Sequence, residues 1–385
     1  MHRSSGSGRD HRIDVLRGIC LAMIFINHVP GNHFEAWTSR NFGFSDAAEA
    51  FVLISGISVG LAYSGGFRSG KLRDGVVKVW RRARTLYGVH IAITLLAGAL
   101  FAASLTVLDV EKLATGLNVD PLLQEPLAAL AAVAGLVHQL GYFDILPLYI
   151  ALLLAAPLYI VIGMHRPWTM LAGAAALWLA AGLFRLNLPL LYADHGWQFN
   201  PFAWQLLFAF GLAGGIAARQ GRKFVAYRPW LFALASAWLA FCFFWAATRQ
   251  GPLPGADMLP GFLYGYDKPY LALPRLLHVL ALAYVLTNIG AVGRLLAMKA
   301  FRPADLMGRQ SLAVFAAGSL LAVFVQIVRF GEPANLVGDA LLISGGLLMQ
   351  YSLARFMAER KAGAQRTRDH ARAGRNVTPA EAPAA

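Results

Sequence analysis

Ten stretches of roughly twenty mostly apolar residues run through this chain, and they restrict its fold more than any other feature. Their limits are 13–29, 46–64, 86–108, 142–163, 168–185, 202–218, 229–247, 271–289, 311–329 and 334–357. Wound as an α-helix, a run of that length crosses the hydrocarbon core of a bilayer, about 30 Å thick. Of 385 residues, 57% are hydrophobic and only 14% charged, against about 25% charged in an ordinary soluble domain. This composition excludes a disordered chain, a nucleic-acid-binding domain and a soluble cytosolic enzyme. The expected fold class is an all-α polytopic membrane protein with about ten transmembrane helices. An eleventh apolar stretch, 127–140, holds 14 residues including His138 and Gln139. It is short for a span and reads as interfacial or re-entrant.

Charge sets the expected orientation. With both termini in the cytoplasm and the spans alternating, 26 of the 34 Lys and Arg lie on cytoplasmic segments and six on outer loops and span ends. That asymmetry follows the positive-inside rule and explains most of the net charge of +14 without a nucleic-acid partner. Three regions follow: a cytoplasmic N-terminus at 1–12, a transmembrane domain at 13–357, and a disordered basic cytoplasmic tail at 358–385. Cys20 and Cys242 each sit inside an apolar run, which fits packing and neither a disulfide nor a metal site. No cleavable signal is expected, because the first run carries Asp14 and Arg17 and no small-residue cleavage site follows it.

Ionisable groups inside spans are costly and mark candidate sites. At 100° per residue, Asp14, Arg17 and His28 share one narrow stripe of the first span. That stripe carries a cation near the cytoplasmic side and an imidazole near the outer surface, about 16 Å apart along the axis. Asp14 and Arg17 also suit an i,i+3 ion pair, and His28 an interfacial histidine. In the second run, Ser45 reads as an N-cap with Asp46 in the first turn. Glu49 shares a face with Gly56 and Gly60, a small-residue stripe suited to close helix approach. Glu49 is therefore expected to point at a neighbouring helix, the first span being the natural candidate, which would bring carboxylates to His28. Asp144 opens the fourth run, Asn200, Trp204 and Gln205 open the sixth, and Arg275 and His278 lie three apart in the eighth. Asp144 also fits an N-cap, and Trp204 an aromatic-belt residue.

The run IDVLRGICLAMIFINHVPGN followed by TSRNFGFSDAAEAFVLISG resembles the OpgC family, as do YFDILPLY at 142–149 and FNPFAWQLLFAFG at 199–211. A weaker likeness lies at 307–315, Met307 to Phe315. OpgC proteins are membrane succinyltransferases of osmoregulated periplasmic glucans, within the broader transmembrane acyltransferases. The resemblance implies a ten-helix enzyme in the bacterial inner membrane. Such an enzyme moves an acyl group, succinyl above all, from cytoplasmic acyl-CoA to glucan hydroxyls. The donor is a substrate; no bound cofactor or metal is implied, and the partners are acyl-CoA, the glucan and the lipid bilayer.

The residue chemistry is compatible with this. A sugar hydroxyl needs a base near neutral pH, which suits His28, with Asp46 or Glu49 to orient the imidazole. Donor phosphates need cations, which Arg17 or the Arg81-Arg82-Ala83-Arg84 run would supply; that run reads first as a topogenic basic loop and only second as a donor site. The substrate-binding set is completed by Asn32, Thr38, Asn41, Ser45, Asp144, Asn200, Trp204, Gln205, Arg275 and His278, with Arg275 expected to hold a dicarboxylic acyl group. His33 matches no part of the pattern. Two other readings use the same residues: a transporter, whose pathway would be lined by Asp, Arg and His, and a non-catalytic partner in glycan secretion. No inverted repeat supports the transporter.

Overall fold

Helices alone build the described part of the chain. The computed structural model describes residues 10–68, 71–106, 108, 110–248, 251, 259–331 and 335–375, and among them no strand occurs. Helix α1 spans His11–Asn27, α2 Ala47–Arg68 and α3 Leu72–Ser104. Three short helices follow, α4 Glu111–Gly116, α5 Asp120–Gln124 and α6 Pro126–Ala134. Next come α7 Ile145–His165, α8 Pro167–Leu183, α9 Pro201–Arg219 and α10 Pro229–Ala247. The rest are α11 Gly261–Tyr264, α12 Leu273–Asn288, α13 Gly290–Leu296, α14 Arg302–Arg309, α15 Ser311–Arg329 and α16 Leu336–Arg375.

Each of the ten apolar runs coincides with one of the longer helices, and the protein is a multi-pass membrane protein. Among the described residues, seven helices are long and apolar enough to cross a membrane, and eight if α12 and α13, bent by 85°, count as one span. Helices α1 and α8, of 17 residues each, are shorter than this group. The 127–140 stretch yields only the nine-residue α6. Two boundaries differ from the sequence reading. Helix α3 begins at Leu72, well before its apolar run, because its first turns are an Arg- and Lys-rich amphipathic segment. The last helix continues to Arg375, so residues 358–375 of the expected irregular tail are helical. Residues 1–9, 376–385, Asp109, Asp257 and Glu332 lie outside the described residues.

The centre of the bundle is set by glycines that let backbones touch. A Cβ at Gly56 would sit 2.3 Å from the Phe208 carbonyl oxygen, and one at Gly211 would sit 2.2 Å from that of Leu53. Gly60 meets Leu212 and Gly215 meets Ile57 in the same way. The small-residue face of α2 therefore packs on α9, not on α1 as its proximity in sequence suggested. The reason is reciprocal: α9 carries its own Gly211 and Gly215 at the matching spacing, and α1 offers no such pair. Helix α1 instead lies on α14, where Gly18 meets the Ala304 carbonyl and Gly308 that of Asp14. Helix α10 leans on α12 and buries little else. At one end of the bundle the C-terminus of α1, the start of α2, the start of α7, the end of α10 and the start of α12 come together.

Candidate active site

These helix ends surround a cavity of about 970 Å³. Its wall includes His28, Asn41, Ser45, Asp46, Asp144 and Arg275 from the sequence-derived set, with Asn27, Arg40, Tyr142 and Lys268 beside them.

His28 is the C-cap of α1. Its backbone is fixed twice: the N–H donates to Ile24, and the carbonyl accepts from Gln326 Nε2 at 2.7 Å. Its imidazole stacks on Tyr142, centroids 4.4 Å apart and planes 24° apart. Among the described residues no side chain hydrogen-bonds the ring, so the nitrogens are left for something in the cavity. Asn27 is steadied by Thr38, whose hydroxyl donates to its Oδ1 at 2.7 Å.

The start of α2 is a reciprocal cap. Asp46 Oδ1 accepts from Ala48 N at 2.7 Å, and Glu49 Oε2 reaches back to accept from Asp46 N at 2.8 Å. This is the capping-box arrangement with an aspartate in the cap position. It makes Asp46 the N-cap, where the sequence reading had Ser45, because the Asp46 carboxylate is one residue nearer the orphan N–H groups. Ser45 is thereby released, and its Oγ lies 2.7 Å from His278 Nδ1.

Glu49 turns away from α1. Its side chain is fully buried and accepts from Arg275 Nε at 2.7 Å. Arg275 also reaches Asp46 Oδ2 at 3.3 Å, and Lys268 Nζ donates to the same oxygen at 2.8 Å. A buried carboxylate must be paired, and α12 brings the cation that α1 lacks at this depth. The hydrogen bonds of both carboxylates thus go to Arg275, Lys268 and backbone N–H groups; the expected carboxylate support for His28 is replaced by Tyr142. Burial works to raise the Asp46 carboxyl, but Lys268 and Arg275 outweigh it and hold the group below the usual carboxylate range. Asp46 therefore stays an anion at neutral pH, ahead of the membrane-crossing part of α2.

Of the remaining positions, Asp144 lines the cavity, whereas Arg17, Asn32, Asn200, Trp204 and Gln205 do not. Arg17 pairs with Asp14 at 3.1 Å, donates to the Gly308 carbonyl and reaches Ser58 of α2, deeper in the bundle. Asn32 folds the loop after α1, donating to Ile26 and Val29 and accepting from Phe34 and Glu35. Asn200 caps α9 and donates to the Leu186 carbonyl. Gln205 accepts from Tyr159 and donates to the Ala174 carbonyl. Trp204, fully buried, donates to the Lys268 carbonyl at 3.0 Å, so its part in the site is to set Lys268. Asp144 heads α7 without capping it through its side chain.

Compared with protein-family models, the chain matches the one described as OpgC protein over residues 9–362. The chain belongs to the OpgC family. Neither the curated proteins nor the solved structures give a match. OpgC membership makes the protein a candidate membrane acyltransferase of glucan modification.

The OpgC match covers every helix that forms the cavity. Tyr142 and Lys268 are among the wall residues not singled out from sequence. Tyr142 stood inside the quoted YFDILPLY motif and was given no role of its own. Lys268 was counted only as an outer charge; its signal was its place between Asp267 and Pro269 in a Tyr- and Gly-rich stretch. No cluster of His, Cys, Asp and Glu suited to a metal occurs among the described residues.

Proposed function

We propose that this OpgC-family protein is an O-acyltransferase of the bacterial inner membrane that moves succinyl from cytoplasmic succinyl-CoA to hydroxyls of a periplasmic or surface glucan. The observation that carries the reading is the His28 imidazole, held by its backbone and by Tyr142 and facing a wide cavity whose wall carries both polar and apolar side chains. Ten passes with both termini in the cytoplasm would put that cavity on the periplasmic side, as the distribution of Lys and Arg favours.

In this reading His28 takes the proton from the glucan hydroxyl as its oxygen attacks the acyl carbonyl. Lys268 and Arg275 supply the positive field for the far carboxylate of a dicarboxylic acyl group. Lys268 is the better placed of the two, since it keeps a quarter of its side chain exposed whereas Arg275 is spent on Glu49 and Asp46. Arg17 and the basic first turns of α3 lie toward the opposite end, the side from which the donor phosphates would approach. The cavity's position at one end of the bundle favours an enzyme over a transporter, whose site belongs near the midplane between inverted repeats.

The test is His28→Ala assayed in membranes with succinyl-CoA and glucan. Losing a general base costs about 10²–10⁴ in rate, so the variant should insert normally and leave the glucan unsubstituted. His33→Ala is the control: His33 binds Asp339 at 2.8 Å on the far side of the loop, away from the cavity, and should keep most activity. A His28→Ala variant retaining more than about a tenth of wild-type transfer would remove His28 from the chemistry.

A further inference from the structure

Ser45 and His278 are 233 residues apart in sequence, yet Ser45 Oγ lies 2.7 Å from His278 Nδ1, and both side chains are buried. A hydroxyl within about 2.6–3.2 Å of an imidazole nitrogen is the arrangement of an activated nucleophile and its base. Ser45 also forms part of the cavity wall.

Three features separate this pair from ordinary loop packing. The backbone does not need the Ser45 hydroxyl, because Asp46 and Glu49 already cap α2. The loop is shaped to the imidazole: a Cβ at Gly43 would come within 2.1 Å of His278 Nε2, so only glycine lets the chain lie against that edge of the ring. Phe44 closes another side, tilted against the ring at 6.4 Å between centroids. The ring is thus clamped by loop atoms with Nδ1 aimed at one hydroxyl.

We infer that Ser45 carries the acyl group between the two substrates, with His278 as its base. The inference rests on the acyltransferase reading and deepens it. In the first half-reaction Ser45 Oγ attacks the thioester carbonyl. The Oγ–acyl bond forms, the carbon–sulfur bond breaks, and the hydroxyl proton passes to His278 Nδ1 and then to the departing thiolate. In the second, a glucan hydroxyl attacks the Ser45 ester and gives its proton to His28. The ester bond to Oγ breaks, and that proton is returned to Ser45. No oxidant, metal or further reactant enters. The two histidines then serve one half-reaction each: His28 from the cavity wall, and His278 from behind Ser45, which it touches through Nδ1.

The experiment uses the full-length protein in lipid nanodiscs with succinyl-CoA radiolabelled in the acyl group. Without glucan, the wild type and His28→Ala should both acquire label on the peptide carrying Ser45, located by mass spectrometry. Adding glucan should discharge the wild type and leave His28→Ala labelled. Ser45→Ala should take up no label and lose transfer by about 10² or more. Ser45→Cys should take up label as a thioester, which also reports that the variant site is folded. His278→Gln, which keeps a polar partner for Ser45, should slow labelling without altering discharge. The inference is overturned if Ser45→Ala retains more than about a tenth of transfer, or if no protein-bound label forms while the wild type succinylates glucan. In either case the acyltransferase reading stands. It fails separately if the wild type transfers nothing to glucan.

Discussion

At the residue scale, the site is a set of buried charges that satisfy one another and one imidazole that is left free. Removing one partner of a buried ion pair costs about 3–5 kcal/mol, because the other charge is stranded. Arg275→Ala strands Glu49, which is fully buried. Its expected outcome is a large fall in detergent melting temperature, with succinyl and acetyl transfer lost together. Glu49→Gln placed on top should recover part of the stability. Lys268→Met removes a cation that the fold needs less, so it should insert normally and lower succinyl transfer more than acetyl transfer. Equal losses from both donors with Lys268→Met would take Lys268 out of acyl recognition. The Asp14–Arg17–His28 stripe was legible from helical periodicity alone, and the Asp14–Arg17 pair forms as an i,i+3 contact. The partners of Glu49 and Ser45 were not legible. Both come from α12, and no local pattern reveals a contact across more than two hundred residues.

At the element scale, hydropathy located every long helix, because a segment that crosses lipid must satisfy its backbone internally and be apolar outside. It placed helix ends less well where charge and helicity coincide: the first turns of α3 and the end of α16 are helical but basic, and apolarity does not mark them. Nor does it say which helices touch. The α2–α9 crossing rests on Gly56 and Gly60 meeting Gly211 and Gly215 with backbone in contact. A leucine at Gly211 would have to displace the Leu53 carbonyl, and such overpacking costs about 1–3 kcal/mol. Gly211→Leu is therefore expected to lower thermal stability and to reduce acylation by shifting the start of α2, which carries Ser45, Asp46 and Glu49. Gly173→Leu, on α8 with open space where its Cβ would stand, should leave both near wild type.

At the scale of the whole molecule, function depends on which side of the membrane the cavity faces. In the topology proposed from the 26-to-6 division of Lys and Arg, the loop after α1 is outside and the C-terminus inside. Single cysteines near Thr38 should react with an impermeant reagent in intact cells, and cysteines after Lys361 should react only when the membrane is opened. A C-terminus labelled from outside would invert the topology and remove the cavity from its glucan. The central claim is that the protein modifies the glucan instead of exporting it or helping to export it. Mass analysis of the glucan from cells lacking this protein tests that claim most directly. The account predicts the normal amount of glucan outside the membrane, without its acyl groups, and their return with the wild-type gene but not with His28→Ala. Glucan missing from outside the membrane, or present there with its acyl groups intact, would contradict it.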